Sequence, residues 1–219
     1  MNVNKCEQAV LPEVFLNETA ATTLQEAAKE LLRKVIHFFI AFTPLIASYS
    51  KIGAVVLLTA GVLFYICIES LRLSGVKVPF FSFVTQAAAR SRENGRFVMG
   101  PVTLGCGALA ALMLYPSMAA AIAIYALAFG DGIASLVGKF CGHIRPAFLL
   151  GKSIEGSAAC FIAVFTAAMC VSHNIYISVF SALAATIAEA LPLEDYDNIA
   201  IPIAAGLAVQ VCQEILKNL

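Results

Sequence analysis

Charge is what this chain has least of: only 13% of its 219 residues are Asp, Glu, Lys or Arg, and the 14 basic residues cancel the 14 acidic ones. Such scarcity excludes an ordinary soluble domain, whose surface must be kept in water. Zero net charge gives no argument for a nucleic-acid partner, and none is expected. The chain also lacks a P-loop, a protein-kinase signature set, paired zinc-ligand spacing and a G-x-S-x-G elbow, so soluble-enzyme templates do not apply. Residues 1–30 hold no basic region followed by a short apolar one. The first span is therefore expected to act as its own insertion signal. Low-complexity tracts and internal repeats are missing too, which argues against a transporter assembled from inverted halves. The seven cysteines show no metal-binding pairs and read as small apolar packing residues.

What is present is apolar. Hydrophobic residues make up 60% of the chain and its mean hydropathy is +0.87, against about 45–50% apolar residues in soluble domains. A hydrocarbon core of about 30 Å needs roughly 17 to 25 apolar residues per helix. Such runs lie near 35–50, 52–71, 98–115, 117–137, 153–172, 174–192 and 198–216. They lack the alternation of barrel strands. The expectation is an all-α, polytopic bundle of about seven spans, with one membrane-embedded catalytic domain over 31–219. A cytoplasmic segment over 1–30 precedes it, where Thr23 and Glu26 fit a capping box that starts an amphipathic helix.

Lys and Arg are distributed unevenly. With the N-terminus inside, Lys5, Lys29, Arg33, Lys34, Arg72, Lys77, Arg90, Arg92, Arg96, Lys139, Arg145 and Lys152 all fall on the cytoplasmic side. Only Lys51 and Lys217 are left outside. The positive-inside rule then places the N-terminus and the clustered polar residues in the cytoplasm and the C-terminus outside, in a membrane expected to be the bacterial cytoplasmic (inner) one. The 73–97 loop, with Phe80, Phe81 and Phe83 among basic residues, reads as an interfacial segment or a partly buried loop.

The chemistry-bearing residues crowd the same side. Asp131 sits inside an apolar run, where a carboxylate costs roughly 2.5 to 3.5 kcal/mol at a helix centre and normally faces a bundle interior. At helical spacing it shares a face with Ser135 and Gly138, a stripe that admits a ligand or a close helix. Lys152 and Glu155 bring an ammonium and a carboxylate together at the start of a span, where a phosphate or a plain ion pair fits equally. In ELLRKVIH, Glu30 to His37, the spacing pairs Glu30 with Lys34 and places Arg33 beside His37. In EALPLEDYDNIAIP, Glu194, Asp195 and Asp197 suit a hard divalent cation, or Asp197 or Asn198 caps the last helix. Glu189 and Glu69 are weaker candidates.

Taken in order, ELLRKVIH, ESLRL at Glu69, FVMGPVT at Phe97, GDGIASLVGKFCG at Gly130, GKSIEGS at Gly151, and the stretch from EALP to DNIAIP resemble the dolichol, phytol and CTP-dependent diacylglycerol kinase family. The resemblance runs from Glu30 to about Gly206. It implies a membrane kinase that moves the γ-phosphate of CTP, or another nucleotide, to the hydroxyl of a lipid such as diacylglycerol, phytol or a polyprenol. It implies Asp131, Lys152 and Glu155 as catalytic residues, and Arg33, Lys34, His37, Lys139, Arg145, Lys152 and Asn198 at the nucleotide. Mg2+ or Mn2+ would be held by Asp131, Glu155 and Asp197, and Asp131 alternatively accepts the hydroxyl proton. The Asp, Gly-rich and Lys-x-x-Glu-Gly region is also similar to phosphatidate cytidylyltransferases, whose C-terminal Lys-Asp and His-Gly-Gly elements are absent here. That enzyme and a small-solute transporter are the alternatives.

Overall fold

The computed structural model describes residues 27–76, 95–149 and 151–218. Among them the chain is helical throughout, in seven apolar helices. These are α1 (Ala27–Tyr49), α2 (Lys51–Leu73), α3 (Gly100–Leu114), α4 (Ser117–Phe140), α5 (Ile154–Ser172), α6 (Ile175–Ala190) and α7 (Asp197–Lys217). The proposed capping box at Thr23 and Glu26, and the Phe80 to Phe83 segment, lie outside the described residues.

Local chemistry sets the helix ends. Ser50 caps α2 by accepting from the Gly53 amide at 3.0 Å, and Ser153 caps α5 by accepting from Gly156 at 3.1 Å. Pro116 separates α3 from α4, where the chain turns back. His173 ends α5 in the left-handed conformation, φ 49°, and Asn174 at once caps α6 through the Tyr176 and Ile177 amides. The near-contiguous apolar stretch around His173 is thus a helical hairpin.

α1, α2, α4, α5 and the helix leading into α7 are long and apolar enough to cross a membrane. α3 and α6 differ from their expected spans: they have 15 and 16 residues. At 1.5 Å per residue they reach only about 22 to 24 Å, short of a core of about 30 Å. Proline sets both limits, since Pro116 follows α3 and Pro192 follows α6.

Helix α4 is the centre of the bundle. Its first half, with Ala119, Ala120, Ile122, Ala123, Ile124 and Leu127 all at most 2% exposed, is covered on every side. Around it α5 packs on α6, α6 on α7, α7 on α3 and α3 on α2. Alanine predominates at these contacts because helices in lipid gain by close van der Waals approach. Large apolar side chains point outward instead, as Ile52, Val56, Leu63 and Phe64 do on α2. Pro202 inside α7 removes the amide that would bond to the Asn198 carbonyl. That carbonyl faces Gly107 of α3, where a Cβ would stand 2.0 Å from it, so only glycine permits this approach.

Because successive helices run in opposite directions, their ends sort the charges. Lys29, Arg33, Lys34, Arg72, Arg96, Lys139, Arg145 and Lys152 lie at one end of the bundle, and Lys51 and Lys217 at the other. Lys5, Lys77, Arg90 and Arg92 fall outside the described residues.

Candidate active site

The charged end opens into a cleft of about 260 Å³ walled by α1, α4, the loop after α4, and the adjoining ends of α5, α6 and α7. Two groups of buried and part-buried ionisable side chains gather at it.

The first is built on α1 and α4. Lys34 Nζ donates to Asp131 Oδ2 at 2.5 Å, and both side chains are at most 6% exposed. Ser135 Oγ donates to the other carboxylate oxygen at 3.2 Å, using the one-turn spacing legible in the sequence. His37 Nε2 lies 2.8 Å from the Leu127 carbonyl and 3.5 Å from Asp131 Oδ2. A carbonyl only accepts, so Nε2 carries the proton. Leu127 and Asp131 belong to a π-helical turn, Ala126–Asp131, inside α4. Such turns loosen the regular bonding ladder, and they are frequent at functional sites.

This pairing departs from the spacing argument. Lys34 does not join Glu30; Glu30 takes Arg33 at 2.6 Å, and Lys34 turns inward. Its position faces α4, where the buried Asp131 charge draws the ammonium more strongly than the part-buried Glu30 one turn away.

The second group joins α5, α6 and α7. Lys152 Nζ lies 3.0 Å from Glu189 Oε1 and 4.0 Å from Asp197 Oδ2, and also donates to the Glu189 carbonyl. Ser157 Oγ donates to Glu189 Oε2 at 3.2 Å. Here too the expected neighbour is replaced. α5 begins at Ile154, so Lys152 stands before the helix and does not share a face with Glu155. Glu155 instead accepts from the His143 and Ile144 amides at 3.0 and 3.1 Å, holding the loop after α4. Arg145 fastens that loop further, donating to Gly138 and Gly151 carbonyls at 2.6 Å each. Gly156 lets α5 approach α4, since a Cβ there would lie 2.9 Å from the Ala134 carbonyl.

Of the residues expected from sequence, Arg33, Asp131, Lys139, Arg145, Lys152 and Asp197 line the cleft, with Lys34 and His37 directly behind Asp131. Asn198 is directed elsewhere: its amide donates to Thr103 Oγ1 at 3.0 Å, joining α7 to α3. Glu189, a weaker candidate from the sequence, lines the cleft and pairs with Lys152. Its partner Lys152 is 37 positions away, a distance at which helical spacing carries no signal. Glu69 proves structural, accepting from Arg72 at 2.7 and 2.8 Å and from the Val98 amide at 3.0 Å, which ties α2 to the start of α3.

Among the described residues no three His, Cys, Asp or Glu side chains converge as a ready metal site. Asp131, Glu155 and Asp197 therefore do not form one ligand set. The cleft still offers hard carboxylate oxygens next to cations, which suits Mg2+ of the kind held by one or two carboxylates and completed by phosphate.

The chain is 30% identical, over 213 aligned positions, to a protein of Triticum aestivum described as a probable phytol kinase, chloroplastic. The match spans 86% of this chain and 69% of the relative. The chain belongs to the phytol kinase-like family. No family model matches it, and no solved structure does. Membership accords with a membrane helical bundle whose polar groups gather at one end, and the family is one of kinases.

Proposed function

We propose that the protein is a lipid-alcohol kinase that transfers the γ-phosphate of CTP to the hydroxyl of an isoprenoid or glycerolipid alcohol such as phytol, a polyprenol or diacylglycerol. The observation that supports this reading best is the cleft itself, where cations and carboxylates from α1, α4, α6, α7 and the loop between α4 and α5 meet at the boundary of an otherwise apolar bundle. A nucleotide arrives from water and the alcohol from the bilayer. Only such a boundary site serves both.

Phosphoryl transfer needs positioning and charge neutralisation more than covalent chemistry. Lys152, Lys139 and Arg145 hold the phosphates, with Arg33 closing the cleft from α1. The lipid oxygen attacks the γ-phosphorus, the bond to the β-phosphate oxygen breaks, and CDP leaves. The hydroxyl proton passes to Asp131, which Ser135 and Lys34 keep aimed and His37 shields. Mg2+ or Mn2+, when bound with the nucleotide, supplies charge neutralisation, and Asp131 and Asp197 are the residues that would hold it. Asp131 thus has two candidate roles, base and ligand. The site faces the cytoplasm in this reading, following the basic residues.

The test is an assay of the purified protein in detergent with γ-labelled CTP and a panel of lipid alcohols. Label is expected in at least one lipid with wild-type protein and in none with Lys152→Met. Equal labelling by both would contradict the assignment.

A further inference from the structure

A second cavity, of about 480 Å³, adjoins the cleft. It lies between the start of α3, at Met99 and Thr103, and the α6–α7 connection from Pro192 to Tyr196. Its volume falls within the range of small-molecule pockets. One residue, Glu194, lines both spaces.

The two cavities differ in character. The cleft carries Arg33, Lys139, Arg145 and Lys152, whereas among the described residues no Lys or Arg lines the second cavity. The second cavity is lined instead by Met99, Thr103, Pro192 and Leu193 together with the aromatic Tyr196 and the acidic Glu194 and Asp195. Tyr196, one of these lining residues, is 63% exposed. Glu194 holds φ at +55°, the left-handed region that favours glycine. A non-glycine residue held there carries a backbone cost.

From this juxtaposition we infer that the second cavity is the nucleoside subsite of the phosphate donor, with the triphosphate in the adjoining cleft. The inference rests on the kinase reading and adds the nucleotide's placement. A nucleoside triphosphate is a polyanion joined to an uncharged aromatic and sugar portion, and the paired cavities divide the same way. Tyr196 stacks on the base, an interaction that tolerates any base but needs an open ring face. Glu194, at the junction, accepts from the ribose hydroxyls. Asp195 accepts from an exocyclic amino group, as carboxylates do from cytosine N4. Uracil presents a carbonyl at that position, so the carboxylate disfavours UTP.

Equilibrium binding of labelled CTP to the full chain in detergent, with UTP and inorganic tripolyphosphate as competitors, tests this. Wild-type protein is expected to bind CTP more tightly than UTP or tripolyphosphate. Tyr196→Ala should weaken CTP about ten-fold, the loss of one stacked base, and change tripolyphosphate by less than about two-fold. Glu194→Gly should show the same pattern while folding at least as well, because glycine adopts φ +55° freely. Unchanged CTP binding in both variants, or equal weakening of both ligands, would overturn the subsite while leaving the kinase reading intact. Wild-type protein that binds neither ligand would overturn both.

Discussion

Lys34 and Asp131 stand 97 positions apart in the chain and 2.5 Å apart in space, and both are almost wholly buried. Removing one partner of a buried pair strands the other charge, at a cost of about 3–5 kcal/mol, whereas replacing both by apolar residues is often neutral. Lys34→Met and Asp131→Leu should each lower the unfolding temperature in detergent, and the double variant should recover most of the loss. All three should be inactive. Activity in the refolded double variant would reduce the pair to packing. Asp131→Asn keeps the volume and an acceptor for Lys34, so it should fold while kcat falls about a hundredfold or more, the scale of a lost acid–base group. Glu155 makes a different prediction. Its carboxylate holds the His143 and Ile144 amides, so Glu155→Gln should raise the KM for nucleotide through the loop yet leave the Mg2+ activation midpoint unchanged. A shifted midpoint would return Glu155 to the metal.

At the scale of elements, helices were legible and their pairings were not. Hydropathy locates each of the seven apolar helices, because a run of apolar residues is a local property. Ser135 below Asp131 was legible for the same reason, being one turn away. Lys152 with Glu189, and Lys34 with Asp131, join different helices, and no spacing rule reaches across them. The π-helical turn at Ala126–Asp131 left no pattern either, since its residues are apolar at every position but one. From the sequence Asn198 is a nucleotide contact or a cap of the last helix; in the structure its side chain caps nothing and, through Thr103, ties α7 to α3. That tie predicts a contrast. Gly107→Ala places a Cβ against the Asn198 carbonyl and should cost about 1–3 kcal/mol, as overpacking does. Gly61→Ala, on the open face of α2 with nothing within 4 Å, should be neutral or slightly stabilising. Equal unfolding temperatures for the two variants would show that α3 and α7 leave room for a methyl group at position 107.

At the scale of the whole molecule, a cytoplasmic nucleotide and a bilayer alcohol require one orientation and one chemistry. In a background lacking native cysteines, a cysteine at position 145 should be labelled by an impermeant reagent from the cytoplasmic side alone, and one at position 51 from the opposite side alone. The reverse pattern would put the cleft on the wrong face for a cytoplasmic nucleotide. The chemistry is decided by the fate of the donor. CTP carrying one label in its γ-phosphate and another in its cytidine should, with purified protein and a lipid alcohol, send the phosphate label into the lipid while the cytidine label leaves as CDP. Cytidine label in the lipid, with release of pyrophosphate, would contradict the kinase assignment.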